Sequence, residues 1–170
     1  MDLKSKIREI PDWPERGVNF KDITPLLQDK EAFGFAIDEL CESFEQNPPD
    51  MIVGIDARGF ILSAAMAYKL KTGLAIIRKK GKLPHKTISQ EYTLEYATNT
   101  IEMHEDAIQK GQKVLLVDDV LATGGTMEAT AKMVETLGGQ ILGISFLIEL
   151  DFLKGREKLR KYKIESLINY

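Results

Sequence analysis

Apolar residues along this chain recur in two rhythms. Short unbroken runs occur at Met51–Ile55 (MIVGI), in GLAIIRK from Gly73 to Lys79, at Val114–Val117 (VLLV), in QILGISFLIEL from Gln140 to Leu150 and in the closing IESLI. All read as strands; Val114–Val117 in particular is too brief for a buried helix, is flanked by Gly111 and Gly124-Gly125, and is apolar on both faces as in the middle of a parallel sheet. Between them, Phe33, Ile37, Leu40, Cys41 and Phe44 trace one helical face, FILSAAMAYKL is a very apolar helix, and Met127, Ala131, Val134 and Leu137 repeat at helical spacing. Leu3, Ile7 and Ile10 predict a short amphipathic helix stopped by Pro11. Strands alternating with helices predict an α/β fold with a doubly wound, mostly parallel sheet and helices on both faces.

Length and composition narrow the function classes. The 170 residues suit a single domain with a sizeable core. A net charge of −3 argues against a dedicated nucleic-acid binder. The basic tail FLKGREKLRKYK does not reverse this, because its charges lie at intervals on one short predicted helix. Cys41 is the only cysteine, which leaves neither a disulfide framework nor a cysteine metal site and suits a reducing, cytoplasmic setting. MDLKSKIREIPDW has no apolar leader core, and no run of about eighteen apolar residues occurs, so neither a signal peptide nor a membrane span is expected. His85 and His104 lack ligand-spaced partners, and a metal role is not expected for either.

The chemistry concentrates in Val114–Thr126, VLLVDDVLATGGT. An apolar strand delivers two adjacent carboxylates, Asp118 and Asp119, and then a small-residue turn that opens a helix. Unpaired amides and the helix dipole favour an anion there, Gly124 and Gly125 permit close backbone approach, and Thr123 and Thr126 add hydroxyl donors. A threonine-capped turn alone would look the same. The acidic pair beside it adds a joint use, in which carboxylates accept hydrogen bonds from a sugar diol while amides hold its phosphate. Neither GxxxxGK[ST] nor the dinucleotide-binding glycine spacing is present. MIVGIDARGF repeats the logic: Asp56, Ala57, Arg58 and Gly59 follow a strand, and a guanidinium at such a turn suits a diphosphate.

VLLVDDVLATGGT resembles the phosphoribosyl pyrophosphate (PRPP) signature of the type I phosphoribosyltransferases. GVNFKDITP is similar to the N-terminal segment of the adenine-specific members, and LKGREKL also matches. The resemblance covers nearly the whole chain. It implies one domain over 1–170, with an N-terminal hood at 1–30 and a flexible catalytic loop at 80–100. It implies transfer of the phosphoribosyl group of PRPP to N9 of adenine, giving AMP and pyrophosphate, in a Mg²⁺-dependent homodimer without nucleic-acid or membrane partners.

The resemblance also implies roles for particular residues. Ala122, Thr123, Gly124, Gly125 and Thr126 would hold the 5′-phosphate, and Asp118 and Asp119 the ribose hydroxyls. Arg58, Arg78, Lys79 and Lys82 would contact pyrophosphate. Phe20 would stack on adenine, with backbone groups at Asn19 and Lys21 reading its edge and Val120 on its second face. TLEYA would supply Glu95 as the base that takes the purine proton, with Tyr96 beside it. Mg²⁺ would be held mainly by substrate and water near the acidic pair, with no direct protein ligand expected. Read from the residues alone, the apolar loop around Trp13, Val18, Phe20 and Ile23 fits core packing as well as a hood. The five basic residues from Arg78 to Lys86 fit a solvated loop as well as one that closes over an anion. The chain departs from the family pattern at Asn19, usually aliphatic, and at Ala97, commonly glycine. Transferases for other bases, and a non-catalytic PRPP sensor, share the central motif; the sensor would need a nucleic-acid-binding element.

Overall fold

The structure, a computed structural model, describes residues 1–93 and 97–170. Residues 1–39 and 40–170 form two compact units. In the first, strands β1 (Arg8–Ile10) and β2 (Phe20–Asp22) pair antiparallel, with Ile10 opposite Phe20 and Arg8 opposite Asp22. The helix predicted over Leu3–Ile10 is therefore absent, replaced by a 3-10 turn at Lys4–Lys6 and β1. Asp2 accepts a hydrogen bond from the Lys4 amide at 3.1 Å, and the backbone is already extended at Ile7 with ψ 128°. Three apolar residues in so short a stretch suit either backbone, and pairing with β2 decides between them. Helix α1 (Thr24–Gln28) follows, and Asp29 then caps α2 (Lys30–Glu42) by accepting from the amides of Glu31 and Ala32 at 3.0 and 3.1 Å.

The second unit carries β3 (Met51–Ile55), α3 (Arg58–Leu70), β4 (Gly73–Lys79), β5 (Thr87–Thr93), β6 (Thr98–His104), β7 (Lys113–Leu121), α4 (Gly125–Thr136), β8 (Gln140–Glu149) and β9 (Ile164–Asn169). They build a seven-stranded sheet in the order β5-β6-β4-β3-β7-β8-β9. β4, β3, β7, β8 and β9 are mutually parallel, and β6 joins antiparallel to β4 and β5. The doubly wound, mostly parallel α/β architecture expected from the alternation of elements is the one observed.

Period-two side chains divide between the sheet faces. Val53, Ile55, Leu116, Ile144 and Phe146 share one buried cluster with Met127, Ala131 and Val134 of α4. The intervening Ile52, Leu115 and Val117 are equally buried toward α3, where a side chain at Gly54 would collide with Ser63. Two predicted segments differ. The stretch read as a loop at 80–100 contains the β5-β6 ladder from Thr87 opposite His104 to Thr93 opposite Thr98. Its alternation of half-buried Ile88, Gln90 and Tyr92 with exposed Ser89, Glu91 and Thr93 was masked by the basic residues before it. The tail predicted as a helix forms 3-10 turns at Asp151–Leu153 and Gly155–Leu159.

Candidate active site

From β3 the chain winds through α3 to β4 on one side; from β7 it winds through α4 to β8 on the other. The adjacent β3 and β7 therefore flank a topological switch point, where their outgoing connections part and leave a crevice at the carboxyl ends. A cavity of about 250 Å³ lies there. Asp56 and Arg58 reach it from the end of β3, Arg78 and Lys79 from the end of β4, Asp118 and Asp119 from β7, Tyr92 from β5 and Thr126 from α4. The Asp56–Ala57 peptide is cis.

Charges in this cavity pair across the elements. Arg58 Nε lies 2.7 Å from Oδ2 of buried Asp119, joining the β3 turn to β7. Arg78 Nε donates to Asp56 Oδ2 at 3.1 Å, joining β4 to β3. Asp118 sits beside its acidic neighbour, its Oδ1 accepting from the Asp119 amide at 2.9 Å. Burial, and then the negative charge of Asp119, push the Asp118 carboxyl well above the usual carboxylate range; that amide and the Arg58 charge offset only part of the rise. Gly59 makes this crowding possible, since a Cβ there would stand 2.7 Å from Asp118 Oδ1.

Beside the acidic pair lies a smaller cavity of about 70 Å³, walled by Val120, Ala122, Thr123, Gly124, Gly125 and Thr126 and sharing Asp118 and Thr126 with the larger one. Gly124 has φ 84°, a left-handed conformation that favours glycine. α4 starts at Gly125, so its first amides lie at this cavity. An anion cradle thus adjoins two carboxylates and a basic wall. The model of the phosphoribosyl transferase domain matches residues 26–169. The chain belongs to the phosphoribosyl transferase family.

Within that family, the adenine phosphoribosyltransferase of Acetivibrio thermocellus is 57% identical over 171 residues, covering 100% of each chain. The crystal structure of adenine phosphoribosyltransferase from Thermoanaerobacter pseudethanolicus superposes with a TM-score of 0.96 at 51% identity, over 99% of this chain and 98% of that one. The Saccharomyces cerevisiae adenine phosphoribosyltransferase, solved with D-2,5-dideoxy-2,5-imino-altritol 1,6-bisphosphate and adenine, gives a TM-score of 0.91 at 36% identity, over 97% and 96% of the chains. The chain carries adenine phosphoribosyltransferase activity, the transfer of a phosphoribosyl group from PRPP to adenine.

The phosphoribosyl transferase crevice gathers Arg58, Arg78, Lys79, Asp118, Asp119 and Thr126 in one cavity, with Val120 and Ala122–Thr126 in the next. Lys82 instead lends its carbonyl to Arg78 Nη1 at 3.4 Å. Glu95 and Tyr96 lie outside the described residues. Asn19, Phe20 and Lys21 belong to the first unit. There the Trp13 ring meets half-buried Phe20 edge-on at 4.5 Å between centroids, and Glu9 accepts from Asn19 Nδ2 at 2.5 Å and pairs with buried Lys21 at 3.0 Å. β7 also continues through Asp118–Leu121, beyond the apolar run that predicted it, because Asp118 and Val120 keep pairing with Phe146 and Ile148. Sequence reading missed Tyr92 as a cavity wall, although the alternation in TISQEYT placed it on the inward side of a strand.

Proposed function

We propose that the two adjoining cavities divide PRPP between them: the 5′-phosphate at Ala122–Thr126, the ribose hydroxyls at Asp118 and Asp119, and the pyrophosphate at Arg58, Arg78, Lys79 and Lys82. The observation that carries this division is the sharing of Asp118 and Thr126 by the basic cavity and the anion cradle. The α4 amides and the Thr123 and Thr126 hydroxyls suit a phosphate monoester. Guanidinium and ammonium groups on the far wall suit the more highly charged leaving group. Positive charge developing on the ribose during transfer would be favoured by the two carboxylates, a preorganised electrostatic contribution.

Adenine is assigned to Phe20, the backbone of Asn19 and Lys21, and Val120; support comes from the aromatic ring at position 20 and from the adenine bound to the yeast relative. Glu95 is assigned the proton lost from N9, with Tyr96 beside it, on the strength of the TLEYA segment.

Mg²⁺ fits the donor set. PRPP brings its own oxygens, and Asp118 and Asp119 stand beside the cavity, so a cation would be held mainly by substrate oxygens and water near the acidic pair. When bound, it supplies charge neutralisation on the departing pyrophosphate. Among the described residues no group of three His, Cys, Asp or Glu side chains is placed to hold a metal alone.

The chain is assigned as a homodimer without nucleic-acid partners. Exposed Ile61 and Tyr68, two turns apart on α3, and exposed Leu74 give the second unit an apolar surface for a second copy. Among the described residues no helix is long and apolar enough to cross a membrane. The cytoplasm is proposed as its location, in keeping with the free, buried thiol of Cys41.

The test is pyrophosphate release from PRPP with adenine, guanine, hypoxanthine, xanthine or orotate supplied singly, with Mg²⁺ and after chelation. Release with adenine alone, abolished by the chelator and restored by Mg²⁺, is expected. Undiminished release in the chelator would remove the metal from the scheme.

A further inference from the structure

At the phosphate loop, the backbones of Gly124 and Gly155 approach closely, with no room for a side chain on either residue. A Cβ on Gly124 would stand 2.7 Å from the Gly155 carbonyl oxygen and 3.4 Å from its Cα. Conversely, a Cβ on Gly155 would collide with the Ala122 carbonyl oxygen and meet Leu121 Cδ1 at 2.7 Å. The 3-10 turn Gly155–Leu159 therefore packs directly on the loop, its first residue held close by the main chain of Ala122 and Gly124 and by the Leu121 side chain.

That turn is pinned by its second residue. Arg156 makes a fork with Glu149, Nε to Oε1 at 2.6 Å and Nη2 to Oε2 at 2.7 Å, and donates to the Ile164 carbonyl and to Ser166 Oγ, each at 3.2 Å. Ser166 Oγ in turn donates to Glu149 Oε2 at 2.6 Å. Glu149 is only 4% exposed, and it ends β8 in register with Leu121 of β7 and Asn169 of β9. Leu121 is the strand residue from which the phosphate loop departs. Burial works against ionisation of Glu149, yet the hydrogen bonds from Arg156 and Ser166 outweigh it and hold its carboxyl below the ordinary value. A planar guanidinium locked on two carboxylate oxygens fixes direction as well as distance, which an ammonium does not.

We infer that Arg156 and Glu149 are positioning residues for the 5′-phosphate site, acting by holding Gly155 against Gly124. The inference rests on the assignment of Ala122–Thr126 to the 5′-phosphate. Neither residue lines the two cavities described above, and neither touches substrate in this scheme. They form the supporting shell that keeps loop amides in register with the phosphate oxygens.

The probe is ribose 5-phosphate, its Kd measured by calorimetry on the intact enzyme, alongside steady-state kinetics and Tm. Arg156→Lys is expected to raise the Kd, and the KM for PRPP, about tenfold, since sub-ångström displacement of positioning groups has effects of this order. The KM for adenine should stay within about twofold on the same reasoning, because the base is assigned elsewhere. Ser166→Ala, which removes one hydroxyl and leaves the fork, is expected to give a smaller rise in the same direction. A merely structural role would lower Tm and the folded fraction without changing the Kd of the folded protein. An unchanged Kd in folded Arg156→Lys, or in Ser166→Ala should the first variant not fold, overturns the inference. Thr126→Val separates it from its premise: weakened binding there with normal binding in Arg156→Lys overturns the inference alone. Unchanged binding in Thr126→Val overturns the loop assignment and the inference with it.

Discussion

At Gly59, helix α3 packs against strand β7 beside Asp118, and adding one methyl group there perturbs the site in a calculable way. A Cβ at position 59 would lie 2.7 Å from Asp118 Oδ1, about 0.7 Å short of the ordinary contact distance of 3.4 Å. Its other neighbours, Asp118 Cα and the Val117 carbonyl oxygen, are at 3.3 Å and need to yield little. The Asp118 carboxylate therefore takes most of the displacement. Overpacking costs about 1–3 kcal/mol, and alanine recovers about 1 kcal/mol of helix propensity relative to glycine. The net loss of about 0–2 kcal/mol lowers Tm by at most about 8 °C in a domain of this size. A misplacement of about 1 Å costs about a hundredfold in rate, so a shift of about 0.7 Å costs roughly thirtyfold. Gly59→Ala should thus lower kcat/KM for PRPP about thirtyfold while the protein stays folded, read by continuous pyrophosphate release and thermal melting. Gly34→Ala is the control: it lies in α2 with nothing within 4 Å of the new Cβ and should raise Tm slightly with normal kinetics. A Gly59→Ala enzyme within about threefold of wild type would refute close packing of Asp118 as a requirement of the site.

Other substitutions probe the remaining groups. Asp119→Asn should lower kcat by about two or more orders of magnitude with the fold intact, by analogy with loss of a transition-state electrostatic contact; circular dichroism and turnover check it, and near-normal turnover removes the acidic pair from the mechanism. Glu95→Gln should reduce kcat more than it alters adenine binding, and an unchanged kcat would leave the purine proton to water or phosphate. Asp118 binds a proton more tightly in the folded than in the unfolded chain, so stability declines as pH rises from the ordinary carboxylate pKa to the raised one. Asp118→Asn should abolish that decline and raise Tm at neutral pH while lowering activity; melting both proteins across the acid range decides it, and parallel profiles would contradict the assigned direction.

How much of this was legible beforehand follows from where local preference and tertiary context agree. Met51–Ile55 and Gly73–Lys79 form strands over the stretches their apolar runs predicted, since both are paired on each side within the sheet, β3 by β4 and β7 and β4 by β3 and β6. Arg58, Asp118, Asp119 and the 122–126 loop were legible as chemistry because strand ends at a switch point converge whatever the side chains are. Three things were hidden. Ile7 and Ile10 keep a helical spacing, yet the backbone around them is extended, because pairing with the distant Phe20–Asp22 strand overrides a weak local pattern. The β5-β6 hairpin was concealed by Lys79, Lys80, Lys82 and Lys86, whose charges dominate any composition-based reading of that stretch. The Gly124–Gly155 contact could not be read at all, since nothing in LKGREKL says which backbone its glycine must approach.

Close backbone approach and charge pairing together hold the strand ends that carry the site. Its two arginines are balanced internally, Arg58 by Asp119 and Arg78 by Asp56, so opposite charges join the ends of β3, β4 and β7. Asp118, which is absent from these pairs and lies beside Asp119, is the group whose ionisation burial and that neighbouring charge disfavour. Under the proposed roles, Arg58 holds Asp119 through Nε and has further N–H donors on its guanidinium for a diphosphate, so one side chain joins the pyrophosphate to the carboxylate assigned to the ribose hydroxyls. Leaving-group recognition and ribose recognition are then linked through one ion pair at 2.7 Å, made where the ends of the neighbouring strands β3 and β7 meet. The neighbouring Asp118 carboxylate keeps its place only because Gly59 is small, since a Cβ there would stand 2.7 Å from its Oδ1.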